Sequence, residues 1–211
     1  MKGKLKLISG KRIESPSTQK TRPTTSKVRE AIINMLGKNL EEASWLDLCS
    51  GSGVMACEAL QKGAKRILAI EKQREAARIC KKNLIDVSNT LVDRFHIEVI
   101  CQEMISFLKK GPKNKNISFI TNSQSSEQKF DFVFLDPPYD SKLYELSQEL
   151  LLSKLWIKKS STLILECSSK SLPKIHNGWK LNKVKYYGNT SLIFLTPNQA
   201  LNCFVDTDSM H

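Results

Sequence analysis

Residues 130–142 read FDFVFLDPPYDSK. Phe130 to Leu135 is apolar enough for a buried strand, yet the run ends on a carboxylate, Asp136, followed by Pro137, Pro138 and Tyr139. Two consecutive prolines remove two backbone donors and fix two φ angles, so the chain must leave the sheet in a stiff, extended turn. The Pro137 carbonyl is then held outward as an acceptor. Asp136 offers a second acceptor, and Tyr139 a face on which a planar ring can stack. Together they suit the exocyclic amine of an extruded base. That nitrogen is a poor nucleophile because its lone pair is delocalised into the ring. Two acceptors on its hydrogens draw it toward tetrahedral geometry and return the lone pair. Asp136, Pro137, Pro138 and Tyr139 are therefore the candidate catalytic residues. A plain strand-terminating turn is the competing reading, and position in the fold decides between them.

A second stretch, DLCSGSGVMACEAL, sets Gly51 and Gly53 between a strand and a helix. With Ala56 it satisfies the G-x-G-x-x-A fingerprint, and Glu71 ends the next strand. A nicotinamide dinucleotide is one candidate ligand. Asp47 opposes it: a pyrophosphate on the glycine turn would lie beside a carboxylate. S-adenosylmethionine has no phosphate, and its ammonium and sulfonium favour a nearby carboxylate. Glu71 suits either cofactor, since both carry a ribose diol. Glu103, after the third strand, is placed to reach an adenine amino group. Asp47, Glu71 and Glu103 at the ends of three successive strands fit a cationic nucleoside. Transfer of an already activated methyl group then needs positioning and electrostatics, not a Ser-His or Cys-His nucleophile.

The elements around these residues alternate. SWLDLC, RILAIE, FHIEVIC, FDFVFLD and STLILEC read as strands; GVMACEALQKG, REAARICKKNLIDV, EMISFLKK and SKLYELSQELLLSKL read as helices. This alternation specifies an α/β, doubly wound parallel sheet. WKLNKVKYYGNTSLIFL has two β-rich runs around Gly188-Asn189, a hairpin signal that ends the sheet antiparallel. The DPPY turn then falls at the fourth strand, beside the glycine loop, where such sheets bind ligands. Residues 1–24 read as a basic arm or small hairpin, with a proline-broken loop before a helix that Thr24, Thr25 or Ser26 can cap. Residues 25–196 form the main domain, 111–128 a polar surface loop, and 197–211 a flexible tail.

The chain has 211 residues and a formal net charge of +12, an excess that favours a polyanionic partner such as nucleic acid. Lys2, Lys4, Lys6, Lys11, Arg12, Lys20, Arg22, Lys27 and Arg29 crowd the first thirty positions. No apolar run approaches the roughly 20 residues of a membrane span, and the start has no apolar signal region. The six cysteines are scattered, without a C-x-x-C pair, and none is spaced with one of the three histidines as a zinc site requires. The expectation is a cytoplasmic, metal-free monomer.

RPTTSKVREAIINML, WLDLCSGSGVMACEALQKGAKRILAIEK and FDFVFLDPPY, in this order, resemble the RsmD family over roughly residues 4–195. The glycine loop and DPPY recur in many amine methyltransferases; RPTT-x-x-VRE is the more specific signature. The resemblance implies a Rossmann-like, seven-stranded methyltransferase sheet. It implies S-adenosyl-L-methionine as cofactor, and N2 of a guanine in 16S rRNA of the small ribosomal subunit as target. By the same resemblance Asp47, Gly51 and Gly53 line the methionine end, Glu71 holds the ribose, and Asp136 to Tyr139 hold the guanine. Arg22, Thr24, Arg29 and the basic arm, including Lys11 and Arg12, would contact RNA. The residues alone also allow a capped amphipathic helix from Arg22 to Glu30 that simply packs on the sheet. Three other functions compete: an amine methyltransferase of DNA adenine N6 or cytosine N4, a nicotinamide oxidoreductase, and a catalytically inert RNA-binding module.

Overall fold

The computed structural model describes residues 3–16, 24–112, 117, 129–138 and 141–198. A hairpin, β1 (Gly3–Lys6) and β2 (Arg12–Ser15), precedes helix α1 (Ser26–Leu36) and a 3-10 turn at Gly37–Leu40. The alternating part follows: β3 (Ser44–Leu48), α2 (Val54–Gln61), β4 (Arg66–Glu71), α3 (Arg74–Ser88), β5 (His96–Cys101), α4 (Met104–Leu108), β6 (Phe130–Leu135) and α5 (Ser141–Ser153). Three strands close the chain, β7 (Ile157–Ser168), β8 (Trp179–Tyr187) and β9 (Thr190–Pro197).

The main sheet has seven strands in the order β5-β4-β3-β6-β7-β9-β8. The first five are parallel; β9 runs antiparallel to both β7 and β8. The chain winds outward from β3 to β5, then returns to place β6 on the other side of β3. The order reverses between β3 and β6, so their carboxyl ends open a crevice.

Both faces of the sheet are covered. Trp45, Phe132, Phe134, Ile164 and Phe194 pack under α1, α2 and α3. Leu46, Leu68, Val133, Leu163 and Leu195 pack under α4 and α5. Strands buried on both faces read as continuous apolar runs, which is why RILAIE and FDFVFL stand out in the sequence. On β8, Lys180, Lys183 and Lys185 are exposed, as is Tyr186.

The basic arm is a docked hairpin. Its Leu7 and Ile13 are 2% and 5% exposed and join the core formed with α2 and α3. Asn83 on α3 stitches it down: Nδ2 donates to Glu14 O and Ser52 O, and Oδ1 accepts from Glu14 N, each at 2.9 Å. Within the stretch read as a surface loop, Ile117 is fully buried; residues 113–116 and 118–128 lie outside the described residues, as does the tail from 199.

Candidate active site

The crevice between β3 and β6 is a cavity of about 370 Å³. Asp47, Gly51, Glu71 and Glu103 line it together with Asp136, Pro137 and Pro138. The two stretches singled out in the sequence thus open into one space. Asp47, Glu71 and Glu166 share one face of the sheet by register, since Asp47 pairs with both Ala69 and Phe134, and Phe134 with Ile164.

Asp47 stands near the end of β3 and reaches the first turn of α2. Its Oδ2 accepts from Ala56 N at 3.2 Å, which suits a carboxylate at a helix N-terminus. Its Oδ1 is buried without a partner. Burial, partly offset by that N–H, pushes the Asp47 pKa up to about 8, with Glu71 adding repulsion. An orphaned carboxylate oxygen facing a ligand cavity asks for a cation. A cationic ligand favours the ionised carboxylate there, whereas a pyrophosphate would keep it protonated, so the site suits S-adenosylmethionine better than a dinucleotide.

Glu71 holds the glycine turn. Oε2 accepts from Gly51 N and Oε1 from Gln73 N, both at 2.8 Å, leaving lone pairs on each oxygen for a diol. Glu103 lies on the rim and caps α4 through Ile105 N and Ser106 N at 2.8 and 2.7 Å. Desolvation opposes ionisation there, yet the two N–H bonds lower its pKa, so it stays charged.

Gly53 has no place in the cavity wall. Its φ is 76°, and a Cβ there would stand 2.5 Å from Cys80 Sγ on α3. Its work is the tight turn and the close approach of helix to loop. Gly53→Ala is expected to cost roughly 2–4 kcal/mol from left-handed strain plus overpacking. Adding Cys80→Ala should recover only the overpacking part, as urea unfolding of both variants would show. Cys49, at φ 64°, is a non-glycine residue in the left-handed region on the same wall, a strain typical of ligand-binding turns.

Asp136 follows β6, partly exposed to the cavity. Burial and the Glu166 and Asp47 charges raise its pKa well above the carboxylate range. Pro137 is buried and Pro138 exposed, as an outward-turning stiff segment requires. Tyr139 lies outside the described residues.

Two expected RNA contacts are corrected. Arg29 is 3% exposed: Nε meets Glu58 Oε1 at 3.1 Å, Nη1 donates to Thr24 O at 2.8 Å and Nη2 to Lys6 O at 2.6 Å. Buried at that depth, the guanidinium is closed to a phosphate. Thr24 is 6% exposed, and its hydroxyl donates to Glu166 Oε2 at 2.8 Å. Thr25, not Thr24, caps α1. Lys11 Nζ binds Asp86 O and Thr90 Oγ1 beside α3, and Arg12 is exposed. Arg22 lies outside the described residues. Sequence reading missed Glu58 and Glu166, since the partners of both are distant in sequence.

The family described as conserved hypothetical protein 95 matches residues 3–196. A curated relative from Haemophilus influenzae, ribosomal RNA small subunit methyltransferase D, is 31% identical over 90% of this chain and 92% of its own. The protein of that name from Escherichia coli K12 is 27% identical over 90% and 88%. Among solved structures, an H. influenzae protein described as a methylase superposes with a TM-score of 0.69 at 28% identity, covering 92% of this chain and 99% of its own. An RNA methyltransferase from Salinibacter ruber, in complex with S-adenosyl-L-homocysteine, shares the fold at a TM-score of 0.54 and 13% identity, covering 84% and 95%.

Proposed function

The chain belongs to the RsmD family, matched over residues 3–196, and we propose that it methylates the exocyclic N2 of a guanine in 16S rRNA. The observation that carries this reading is the single cavity shared by Asp47, Glu71 and the Asp136-Pro137-Pro138 turn. When bound, S-adenosylmethionine supplies a methyl group already activated on a sulfonium. Asp47 Oδ1 would take the ammonium, Glu71 the ribose diol and Glu103 the adenine amine.

The chain's own groups then work on the nucleophile. Asp136 and the Pro137 carbonyl accept from the two amine hydrogens and hold the lone pair toward the methyl group. Tyr139 offers the stacking face. Thr24, Met55, Phe134 and Leu143 wall the space and exclude water. The protein would act as a cytoplasmic monomer on the small subunit or an assembly intermediate of it.

Tritium-methyl transfer to small subunits from cells lacking the native enzyme, followed by nucleoside analysis, tests the reading. N2-methylguanosine at one site is expected. Transfer to DNA adenine or cytosine instead would refute it.

Arg12 is an exposed residue of the basic arm, open to a phosphate. Arg12→Ser should weaken RNA binding and reduce the slope of log K against log salt by about one. An unchanged slope removes Arg12 from the interface.

A further inference from the structure

Asp136 does not meet the cavity alone. In the parallel pairing of β6 with β7, Phe134 lies opposite Ile164 and Leu135 opposite Leu165. That register, continued one step past the end of β6, sets Asp136 beside Glu166, on neighbouring strands about 4.8 Å apart. Glu166 is 8% exposed and holds Thr24, which lines the cavity. It therefore sits immediately behind the wall that Asp136 and Thr24 present. Neither the amine clamp nor the cofactor site explains a second carboxyl there, and burying one is costly.

Resting on the methyltransferase reading, we propose that Asp136 and Glu166 form one proton-accepting pair that takes up the proton shed by the methylated amine. Glu166 acts through Asp136, as a positioning residue.

The charge balance is the reason. As the N–C bond forms, the S–C bond breaks, its electron pair leaves a neutral thioether, and the amine nitrogen loses one proton. Two carboxylates beside a sulfonium carry the same total charge as a carboxylate and a carboxylic acid beside a thioether. A pair that gains the proton keeps the charge of the buried site constant through the reaction. Two adjacent carboxylates without a cation cannot both ionise easily, so the pair holds a proton until one arrives.

The surroundings set the poise. Burial pushes the Glu166 pKa up to about 7, against the Thr24 hydrogen bond and the Arg29 charge, which favour its ionised form. Asp47 on β3 adds to the repulsion on Asp136. Cys49 and Cys167, each with a pKa pushed up to about 12 by burial and nearby carboxylates, stay thiols. Tyr144 on α5 donates to the Glu166 backbone carbonyl at 2.6 Å.

Calorimetry in buffers of different ionisation enthalpy counts the protons released on binding. Near pH 7 the wild-type chain should release about one more proton with S-adenosylmethionine than with S-adenosylhomocysteine. Both ligands carry the same ammonium, so the contribution of Asp47 cancels in the difference. In Glu166→Gln the excess should fall toward zero while both ligands still bind, because Asp136 then ionises without its like-charged neighbour. Equal proton counts in the wild-type chain overturn the proposal without any variant. An excess that persists unchanged in Glu166→Gln overturns the part given to Glu166. Failure of both ligands to bind overturns the methyltransferase reading instead.

Discussion

Asp136→Ala should bind S-adenosylmethionine and yet transfer methyl groups ~10²–10³-fold more slowly, the loss typical of deleting one preorganised electrostatic partner. In the proposed reaction the carboxylate is the acceptor that localises the amine lone pair, and the Pro137 carbonyl alone would not hold both hydrogens. Stability should move the other way. Asp136 is disfavoured by burial and by the Glu166 and Asp47 charges, so removing it relieves repulsion in the folded state. A melting temperature equal to or above wild type, together with slow single-turnover transfer, separates lost chemistry from lost folding. Normal turnover would sink the clamp.

Arg29→Met should produce the largest loss of stability, roughly 3–5 kcal/mol, because it strands a buried carboxylate. Glu58 is 2% exposed and depends on Arg29 Nε and Ile8 N, both within 3.1 Å of Oε1. Burial already raises its pKa against those two partners. The guanidinium also ties the carbonyls of Lys6 and Thr24, so its loss frees the hairpin and the segment entering the cavity wall. Urea unfolding of Arg29→Met and of Arg29→Met/Glu58→Met checks this. The double variant should recover much of the loss, since two apolar residues can replace a buried ion pair at little cost. A single variant as stable as wild type would show that the pair holds nothing together.

The parallel sheet and its switch point were legible because local pattern and tertiary role agree there. RILAIE gave β4 its observed bounds, Arg66–Glu71, and the Gly188-Asn189 signal marked the hairpin of β8 and β9. β7 was read too short. It begins at Ile157, four residues before STLILEC, because Lys158 pairs with Asp131 at 2.6 Å and Ser161 Oγ donates to Phe130 O at 2.6 Å. Those polar side chains look like loop residues to any local reading. The carboxylates of the cavity were read from strand ends, where position implies role. Glu58 and Glu166 were not, since their partners lie 29 and 142 residues away in sequence. The same blindness put Arg29 on the surface: a charge in a basic run looks solvated until its buried partner is known.

The lysines of β8 bear on how the protein behaves in a crowded solution. The seven-stranded sheet ends, among the described residues, on two strands with a single neighbour each, β5 and β8. An outermost strand is a template for pairing with another chain, and rows of ammonium groups are a common safeguard against it. Lys180, Lys183 and Lys185 are exposed along β8, and the pairing with β9 slips between Leu181 and Lys183, so the edge is bent as well as charged. The exposed lysines of β8 thereby suit a guard against sheet-to-sheet aggregation.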